Sequence, residues 1–131
     1  VLDAREALDV PENDRALVHG DLGVHNIAVD PATGDLRGVF DYDGAAWDDR
    51  HHDFRYLVFD HADESLLEAA IAAYEPAAGH EIDRERVRLY NAASAICYLA
   101  YRRGVAADVR HCGRTLAEDL AWVRKAVDAV P

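Results

Sequence analysis

The sequence predicts an α+β fold that is mainly helical. Three short runs of β-branched or aliphatic residues lie before residue 41, whereas apolar residues recur at three- and four-residue steps through most of the remaining chain. A length of 131 residues, half of them hydrophobic, suffices for one globular core. We therefore expect residues 1–131 to form a single domain in which a small β-hairpin accompanies several helices.

The first predicted elements are a helix and three strands. Residues 1–10 place apolar side chains on one helical face until Pro11 ends the pattern. The three predicted strands are residues 15–18, 27–29 and 36–40. The turn-forming residues at 30–34 separate the last two strands, so two of the three strands are expected to form a hairpin.

Strand patterns end near residue 48, and helical periodicity replaces them. The predicted helices are residues 48–60, 63–75, 83–103 and 114–129. Asp63 and Asp83 are expected to cap two of these helices at their amino ends, and Gly104 to end one of them.

Composition excludes several functional classes. The net charge of -11 disfavours binding to nucleic acid or to an anionic membrane, and it favours a cationic partner. No apolar run approaches the roughly 20 residues that a membrane span requires.

Cys97 and Cys112 lack the spacing of a disulfide scaffold, so free thiols and a cytoplasmic location are expected. A chain that starts at Val1 and contains no methionine is expected to be part of a longer protein.

The segment His19–Asn26 reads HGDLGVHN and directly follows the first predicted strand. It matches the kinase catalytic-loop pattern H-x-D-L-x-x-x-N, in which the aspartate orients the substrate hydroxyl or accepts its proton. Asp21 is therefore the candidate catalytic residue. Asn26 is the candidate magnesium ligand, because the loop can turn its amide oxygen toward the metal while the carboxylate faces the incoming alcohol.

A second carboxylate stands at the end of the third predicted strand, where Val39 and Phe40 precede Asp41. Kinases place at this point the aspartate that bridges magnesium to the nucleotide phosphates. Asp41 is therefore the second candidate metal and nucleotide ligand. Asp43 is a weaker candidate that could assist magnesium or meet a cationic substrate, although an exposed turn aspartate is the simpler interpretation.

The order of these motifs resembles that of the aminoglycoside phosphotransferase and choline kinase family: HGDLxxxN, a hairpin, a strand ending in aspartate, and Asp53 on a later helix. The resemblance implies the C-terminal lobe of a protein-kinase-like fold, ATP and Mg²⁺ as cofactors, and phosphoryl transfer to a hydroxyl of a small, cationic molecule. It also implies supporting roles for Asp53, beneath the catalytic loop, and for His19, which packs within it.

The chain departs from this family pattern because it lacks the motifs that the family has upstream of the HGDLxxxN loop. It contains no glycine-rich phosphate loop and no lysine before Lys125. The resemblance therefore implies that the N-terminal nucleotide-binding lobe is absent, and that the isolated chain binds ATP weakly or not at all and is inactive.

Two alternatives stay open. One is a metabolite kinase for choline, homoserine or a thiosugar. The other is a non-catalytic binding module, with a homodimer formed through the surface that the missing lobe leaves. A metal-dependent hydrolase is disfavoured because neither His-x-His nor H-E-x-x-H occurs.

The remaining polar and aromatic clusters have simpler structural interpretations. His51 and His52, near Asp48 and Asp49, are expected to form a solvated helix start and not a metal site. Most of the larger aromatic residues are expected in the core: Trp47, Tyr90, Tyr98, Tyr101 and Trp122. The carboxylates expected on solvated helix faces are Glu64, Glu68, Glu118 and Asp119.

Overall fold

The computed structural model describes residues 1–59, 64–111 and 113–131. These residues form two compact units, one made of residues 1–8 and 84–131 and the other of residues 9–83. The mixture of helices with small sheets confirms the α+β prediction. The single domain and the kinase-like lobe stay predictions.

Five α-helices and four β-strands occur in the described residues. The helices are α1 (Leu2–Glu6), α2 (Arg55–Phe59), α3 (Ser65–Ala78), α4 (Arg84–Arg102) and α5 (Leu116–Asp128). The strands are β1 (Arg15–Val18), β2 (Ile27–Val29), β3 (Leu36–Val39) and β4 (Ala46–Asp49).

Two antiparallel strand pairs build the first half of the unit at residues 9–83. The predicted hairpin is β2 with β3, in which Ile27 lies opposite Val39. The second pair joins β1 to β4, with Leu17 opposite Trp47. Strand β4 is absent from the sequence prediction because its four residues contain only one large apolar side chain, and because its partner lies far away in the chain.

The helix predicted at residues 48–60 is wrong over its first half. That stretch contains the end of β4 and a 3-10 turn, Arg50–Phe54, and α2 begins only at Arg55. The cause is local, because the Asp49 carboxylate accepts the backbone N–H of His51 at 3.0 Å and stabilises a turn in place of a helix. The expected cap at Asp63 lies outside the described residues.

Helix α3 is longer than predicted and buries one stripe of its surface. Leu67 and Ile71, four residues apart, are 0% and 1% exposed. Pro76 lies in the last turn, and Gly79 ends the helix with a φ of 68°. A left-handed glycine at this position is the usual way to close a helix.

In the other unit, both α1 and α5 pack against α4. Helix α1 ends at Glu6, earlier than the predicted 1–10. Helix α5 begins with a capping box, in which the Thr115 hydroxyl accepts the N–H of Glu118 and the Glu118 carboxylate accepts the N–H of Thr115.

A buried ion pair joins α4 to α5. The side chains of Arg102 and Asp119 are fully buried, and Arg102 Nε lies 3.0 Å from Asp119 Oδ2. Arg102 also donates to the carbonyl oxygens of Val105 and Val109, and Arg114 Nε donates to Asp119 Oδ1 at 2.8 Å. The expectation of a solvated Asp119 is therefore wrong, because two guanidinium groups compensate for its burial.

Two aromatic predictions also need correction. Tyr90 is buried as expected, but Trp47 is 62% exposed and Tyr101 is 68% exposed. Trp47 lies on a two-stranded sheet opposite Leu17, whose side chain is exposed as well. Among the helices of the described residues, none combines the length and the apolar character needed to cross a membrane.

Candidate functional site

The segment His19–Asn26 leaves β1 through a backbone conformation that requires glycine. Gly20 has a φ of 83°, in the left-handed region that residues with a Cβ rarely adopt. A Cβ at Gly20 would lie 2.2 Å from the carbonyl oxygen of Gly44. The two loops that carry Asp21 and Asp41 therefore cross in direct backbone contact.

Asp53 and Arg55 hold this loop from the segment that follows β4. The carboxylate of Asp53 accepts the backbone N–H of His19 at 2.7 Å and that of Gly20 at 2.9 Å. Arg55 Nη2 donates to the carbonyl oxygen of Gly20 at 2.6 Å. The structure thus brings together His19 and Asp53, the two residues predicted to support the loop, and adds Arg55 to them.

The His19 ring connects the loop to the end of β3. Its Nε2 lies 2.9 Å from the carbonyl oxygen of Phe40, and its Nδ1 accepts the backbone N–H of Asp21 at 3.2 Å. A neutral ring with its proton on Nε2 satisfies both contacts, because Nδ1 must then be the acceptor. One side chain therefore fixes the backbone at Asp21 relative to the residue that precedes Asp41.

Asn26 makes the same connection from the other end of the loop. Its Nδ2 donates to the backbone oxygen of Asp21 at 2.9 Å and to Asp21 Oδ2 at 3.0 Å. The backbone carbonyl oxygen of Asn26 accepts the backbone N–H of Phe40 at 3.1 Å. Asn26 is only 4% exposed. Both polar backbone atoms of Phe40 are therefore bonded to the segment that contains Asp21.

Asp41 follows directly and has a φ of 66°. Among residues with a side chain, aspartate and asparagine tolerate this left-handed conformation best. Asp41 is exposed, and so is Asp43, which lies on the 3-10 turn Tyr42–Gly44. The fixed backbone of Phe40 sets the position at which Asp41 leaves the strand.

The Asp21 carboxylate has three side-chain neighbours. His25 Nε2 lies 3.4 Å from Oδ2, Asn26 donates to the same oxygen, and Tyr56 is near enough to lower the pKa of the carboxyl. Partial burial opposes ionisation of Asp21, but the bonds from Tyr56, His25 and Asn26 outweigh it and hold the pKa of this carboxyl below its ordinary value. Burial and the bond to Asp21 raise the pKa of Tyr56. Asp21 is therefore ionised at neutral pH and able to accept a hydrogen bond from a hydroxyl.

Sequence reasoning did not single out Arg55, Tyr56 or His25. The available signal for the first two was their position, two and three residues after Asp53. For His25 it was its position four residues after Asp21 and directly before Asn26. No pattern in the sequence by itself relates these side chains to Asp21.

The expectation of a solvated helix start near His51 is wrong. His51 is 1% exposed and Asp49 is fully buried, with His51 Nδ1 2.5 Å from Asp49 Oδ1. The pair lies where β4 ends, and it stabilises the 3-10 turn Arg50–Phe54, which contains Asp53. In the part of the chain that the structure describes, no three His, Cys, Asp or Glu side chains are grouped so as to hold a metal ion.

The predicted ligands nevertheless fit magnesium in its nucleotide-bound form. Mg²⁺ binds oxygen and often takes only one or two protein ligands, with phosphate oxygens and water supplying the rest. Because the Asn26 Nδ2 donates to Asp21, the remaining polar atom of that amide is an oxygen, the atom type that magnesium requires. Asn26 and Asp41 together offer an amide oxygen and a carboxylate.

Comparison with known families agrees with this geometry. A family model described as the phosphotransferase enzyme family matches residues 1–90, which is more than half of the chain. The chain therefore belongs to the phosphotransferase enzyme family, and the resemblance inferred from the motifs is confirmed. The matched region contains Asp21, Asn26, Asp41 and Asp53. No curated protein and no solved structure matched the chain.

Proposed function

We propose, on the premise that the chain belongs to the phosphotransferase enzyme family, that it carries the phosphate-transfer residues of an ATP-dependent kinase for a hydroxyl of a small, cationic molecule. The observation that carries the proposal is the connection of Asp21 and Asn26 to the residue before Asp41 through both backbone atoms of Phe40. A fixed distance between the hydroxyl-orienting group and the phosphate-binding group is what phosphoryl transfer needs, since its catalysis consists mainly of positioning and charge stabilisation.

In this proposal each residue has a separate task. Asp21 accepts a hydrogen bond from the acceptor hydroxyl, orients its oxygen toward the γ-phosphorus and takes up the proton as the new phosphorus–oxygen bond forms and the bond to ADP breaks. A carboxylate with a lowered pKa suits the orienting task, because it stays ionised. Asn26 and Asp41 would hold Mg²⁺, which when bound neutralises charge on the nucleotide phosphates.

A cationic acceptor is supported by the charge of the unit that contains the site. Within residues 9–83 the lysine and arginine side chains are Arg15, Arg37, Arg50 and Arg55, and acidic residues are several times as numerous. Arg50 and Arg55 are buried and engaged with the backbone. An excess of negative potential attracts a small polycation and repels nucleic acid and anionic membranes. A cytoplasmic location, where ATP is available, belongs to the same proposal.

Titration calorimetry with ATP and Mg²⁺ tests the metal assignment. We compare the 131-residue chain with the longest gene-encoded form that contains it, each with Asp41 and with Asp41→Asn. Asparagine retains the preference for the left-handed backbone while removing the charge. The expected result is magnesium-dependent binding in the long form, weak or absent binding in the 131-residue chain, and at least a tenfold loss of affinity with Asp41→Asn. Equal binding by both Asp41 forms would contradict the assignment.

The acceptor is identified with the long form by measuring ADP release over a panel of hydroxyl compounds. An aminoglycoside as the best acceptor supports the proposal. Choline, homoserine or a thiosugar as the best acceptor replaces it with a metabolite kinase of the same reaction class.

A second candidate function is a non-catalytic binding or dimerisation module. Exposed apolar pairs on both two-stranded sheets favour it: Leu17 with Trp47 and Val29 with Leu36, each between 55% and 75% exposed. Sedimentation of the 131-residue chain measures this directly. A stable homodimer together with an absence of ATP binding in every form would favour the module over the kinase.

A further inference from the structure

Arg55 is a buried cation whose guanidinium binds two backbone carbonyl oxygens. It is 5% exposed, and it donates from Nη2 to the carbonyl oxygen of Gly20 at 2.6 Å and from Nη1 to that of His52 at 2.8 Å. Gly20 lies 35 positions before Arg55 in the chain. One side chain therefore joins the 3-10 turn Arg50–Phe54 to the backbone directly before Asp21.

The peptide plane between Gly20 and Asp21 is held at both of its polar atoms. Arg55 binds the Gly20 oxygen, and His19 Nδ1 accepts the N–H of Asp21 at 3.2 Å. The next plane is held as well, because Asn26 Nδ2 donates to the Asp21 carbonyl oxygen at 2.9 Å. The two planes that flank a Cα atom determine the direction of its Cβ. These three contacts together therefore set where the Asp21 side chain points.

The contact with Arg55 matters most where the backbone is least restricted. Gly20 has a φ of 83°, and a glycine allows its flanking peptide planes to rotate at little steric cost. Asp53 accepts the N–H of Gly20, which secures the plane before this residue but not the plane after it. In the plane after it, the bond from Arg55 is shorter than the bond to His19 and comes from a charged donor. Loss of Arg55 would leave this plane with the longer bond to His19.

We propose that Arg55 is a positioning residue for Asp21: by binding the Gly20 carbonyl oxygen, it prevents rotation of the Gly20–Asp21 peptide plane and so fixes the direction of the Asp21 carboxylate. The catalytic consequence rests on the proposed function, whereas the contact itself does not. Arg55 acts through the backbone and not on the substrate. A displacement of about 1 Å at a reacting group lowers a rate by as much as about 100-fold, so the rotation of one peptide plane is large enough to affect catalysis.

The first test is the kinetics of Arg55→Lys in the longest gene-encoded form. Lysine keeps the charge, but its compact ammonium group does not reproduce the planar fork that reaches two carbonyl oxygens. The expected result is a kcat about 10- to 100-fold lower with the KM for ATP unchanged. The reason is that Asp21 is misoriented while Asn26 and Asp41 still hold the nucleotide.

Arg50→Lys is the matched control. Arg50 is another buried arginine of the same unit, 8% exposed, and it donates to the carbonyl oxygens of Asn13 and Asp14 at 2.6 and 3.2 Å. The two substitutions remove the same kind of contact, so both should lower the denaturation midpoint. Only Arg55→Lys should lower kcat per folded molecule. A purely structural role of Arg55 predicts the same kcat in both variants.

The second test needs neither a variant nor activity: nitrogen-15 NMR of the Arg55 guanidinium in the 131-residue chain. Bonds from Nη1 and Nη2 to different carbonyl oxygens oppose rotation about the Cζ–Nε bond, so the two nitrogens should give separate signals. The exposed side chain of Arg124 is the control and should give one averaged signal. The carbonyl carbon-13 signal of Gly20 should shift in Arg55→Lys and stay in place in Arg50→Lys.

The outcomes separate this inference from the proposed function. A lowered kcat in Arg55→Lys alone, with separate guanidinium signals, supports both. An active enzyme whose kcat is the same in Arg55→Lys and Arg50→Lys overturns the positioning role. A wild-type protein that is inactive with every acceptor overturns the proposed function. In that case, or if Arg55→Lys does not fold, the guanidinium signals of the wild-type chain decide: separate signals support the contact, and one averaged signal overturns it.

Discussion

Residues 9–83 and the helical unit of residues 1–8 and 84–131 are stabilised in different ways. The first unit contains short strands and 3-10 turns that are joined by hydrogen bonds between side chains and distant backbone atoms, as between His19 and Asp53, 34 positions apart. The second contains two long helices, α4 and α5, which bury apolar residues and the Asp119 carboxylate, and this carboxylate pairs with Arg102 and Arg114.

The difference matters for function because loss of a contact has a different structural effect in each unit. Loss of a buried charge partner lowers the free energy of unfolding of the whole helical unit. Loss of a hydrogen bond to the loop at residues 19–26 releases a few backbone groups and changes local geometry first. Substitutions of similar chemistry in the two units should therefore be distinguishable by where amide hydrogen exchange increases.

The largest effect is expected from Asp119→Asn in the helical unit. The substitution leaves Arg102, which is fully buried, without a compensating negative charge. The free energy of unfolding should fall by about 3–5 kcal/mol, measured by chemical denaturation. Asp128→Asn, on the exposed end of the same helix, is the control and should change stability by less than about 0.5 kcal/mol. Equal effects of the two substitutions would show that the ion pair does not stabilise this unit.

Next in size is Gly20→Ala in the other unit. Alanine at this position combines a left-handed backbone with a clash against Gly44, and we expect a loss of about 2–4 kcal/mol. Gly79→Ala separates the two causes, because Gly79 also has a positive φ but a Cβ there would meet nothing within 4 Å. It should cost only about 1 kcal/mol. A Gly20→Ala effect no larger than that of Gly79→Ala would mean that the loop can move away from Gly44.

A smaller effect is expected from Asp53→Asn. Asparagine offers one oxygen where the carboxylate offers two, so either the His19 or the Gly20 N–H loses its acceptor. The cost should be about 1–2 kcal/mol. Hydrogen exchange should accelerate at these two amides and stay unchanged in α4 and α5. Asp35→Asn, at an exposed turn, should accelerate neither. Faster exchange throughout α4 would contradict the view that this contact acts locally.

The smallest effect concerns pH. The folded-state pKa of Asp21 lies below its ordinary value of 3.8, so ionised Asp21 favours the folded state at neutral pH. This contribution is fully present above the unfolded-state pKa and is lost as pH falls through the folded-state pKa. Carbon-13 NMR of the carboxyl group should therefore give a titration midpoint below 3.8. Tyr56→Phe should raise that midpoint, because it removes the largest of the favourable hydrogen bonds. A wild-type midpoint above 3.8 would contradict the described surroundings of Asp21.

Local pattern was sufficient for much of the fold. Strands β1 and β2 and the β2–β3 hairpin follow from short aliphatic runs separated by a turn, and α4 and α5 follow from long periodic stretches. Strand β4 and the turn at Arg50–Phe54 did not follow, because the partner of β4 is β1 and the turn depends on the buried Asp49 and His51. From residue type alone, strongly polar side chains such as those of Asp49 and His51 are expected at the surface. They are buried only where the folded chain supplies a hydrogen-bonding or charged partner.

The sequence by itself determined which chemical groups the candidate site contains: the loop with Asp21 and Asn26, and the aspartate at the end of β3. These are properties of residue type and spacing within one short segment. Only the tertiary structure decided that Phe40 is bonded to both ends of this loop, that Gly20 touches Gly44, and that Asp53 accepts hydrogen bonds from His19 and Gly20. The physical reason is that each of these contacts joins residues far apart in the chain. Their pairing depends on how the strands and turns pack, and no local pattern encodes it.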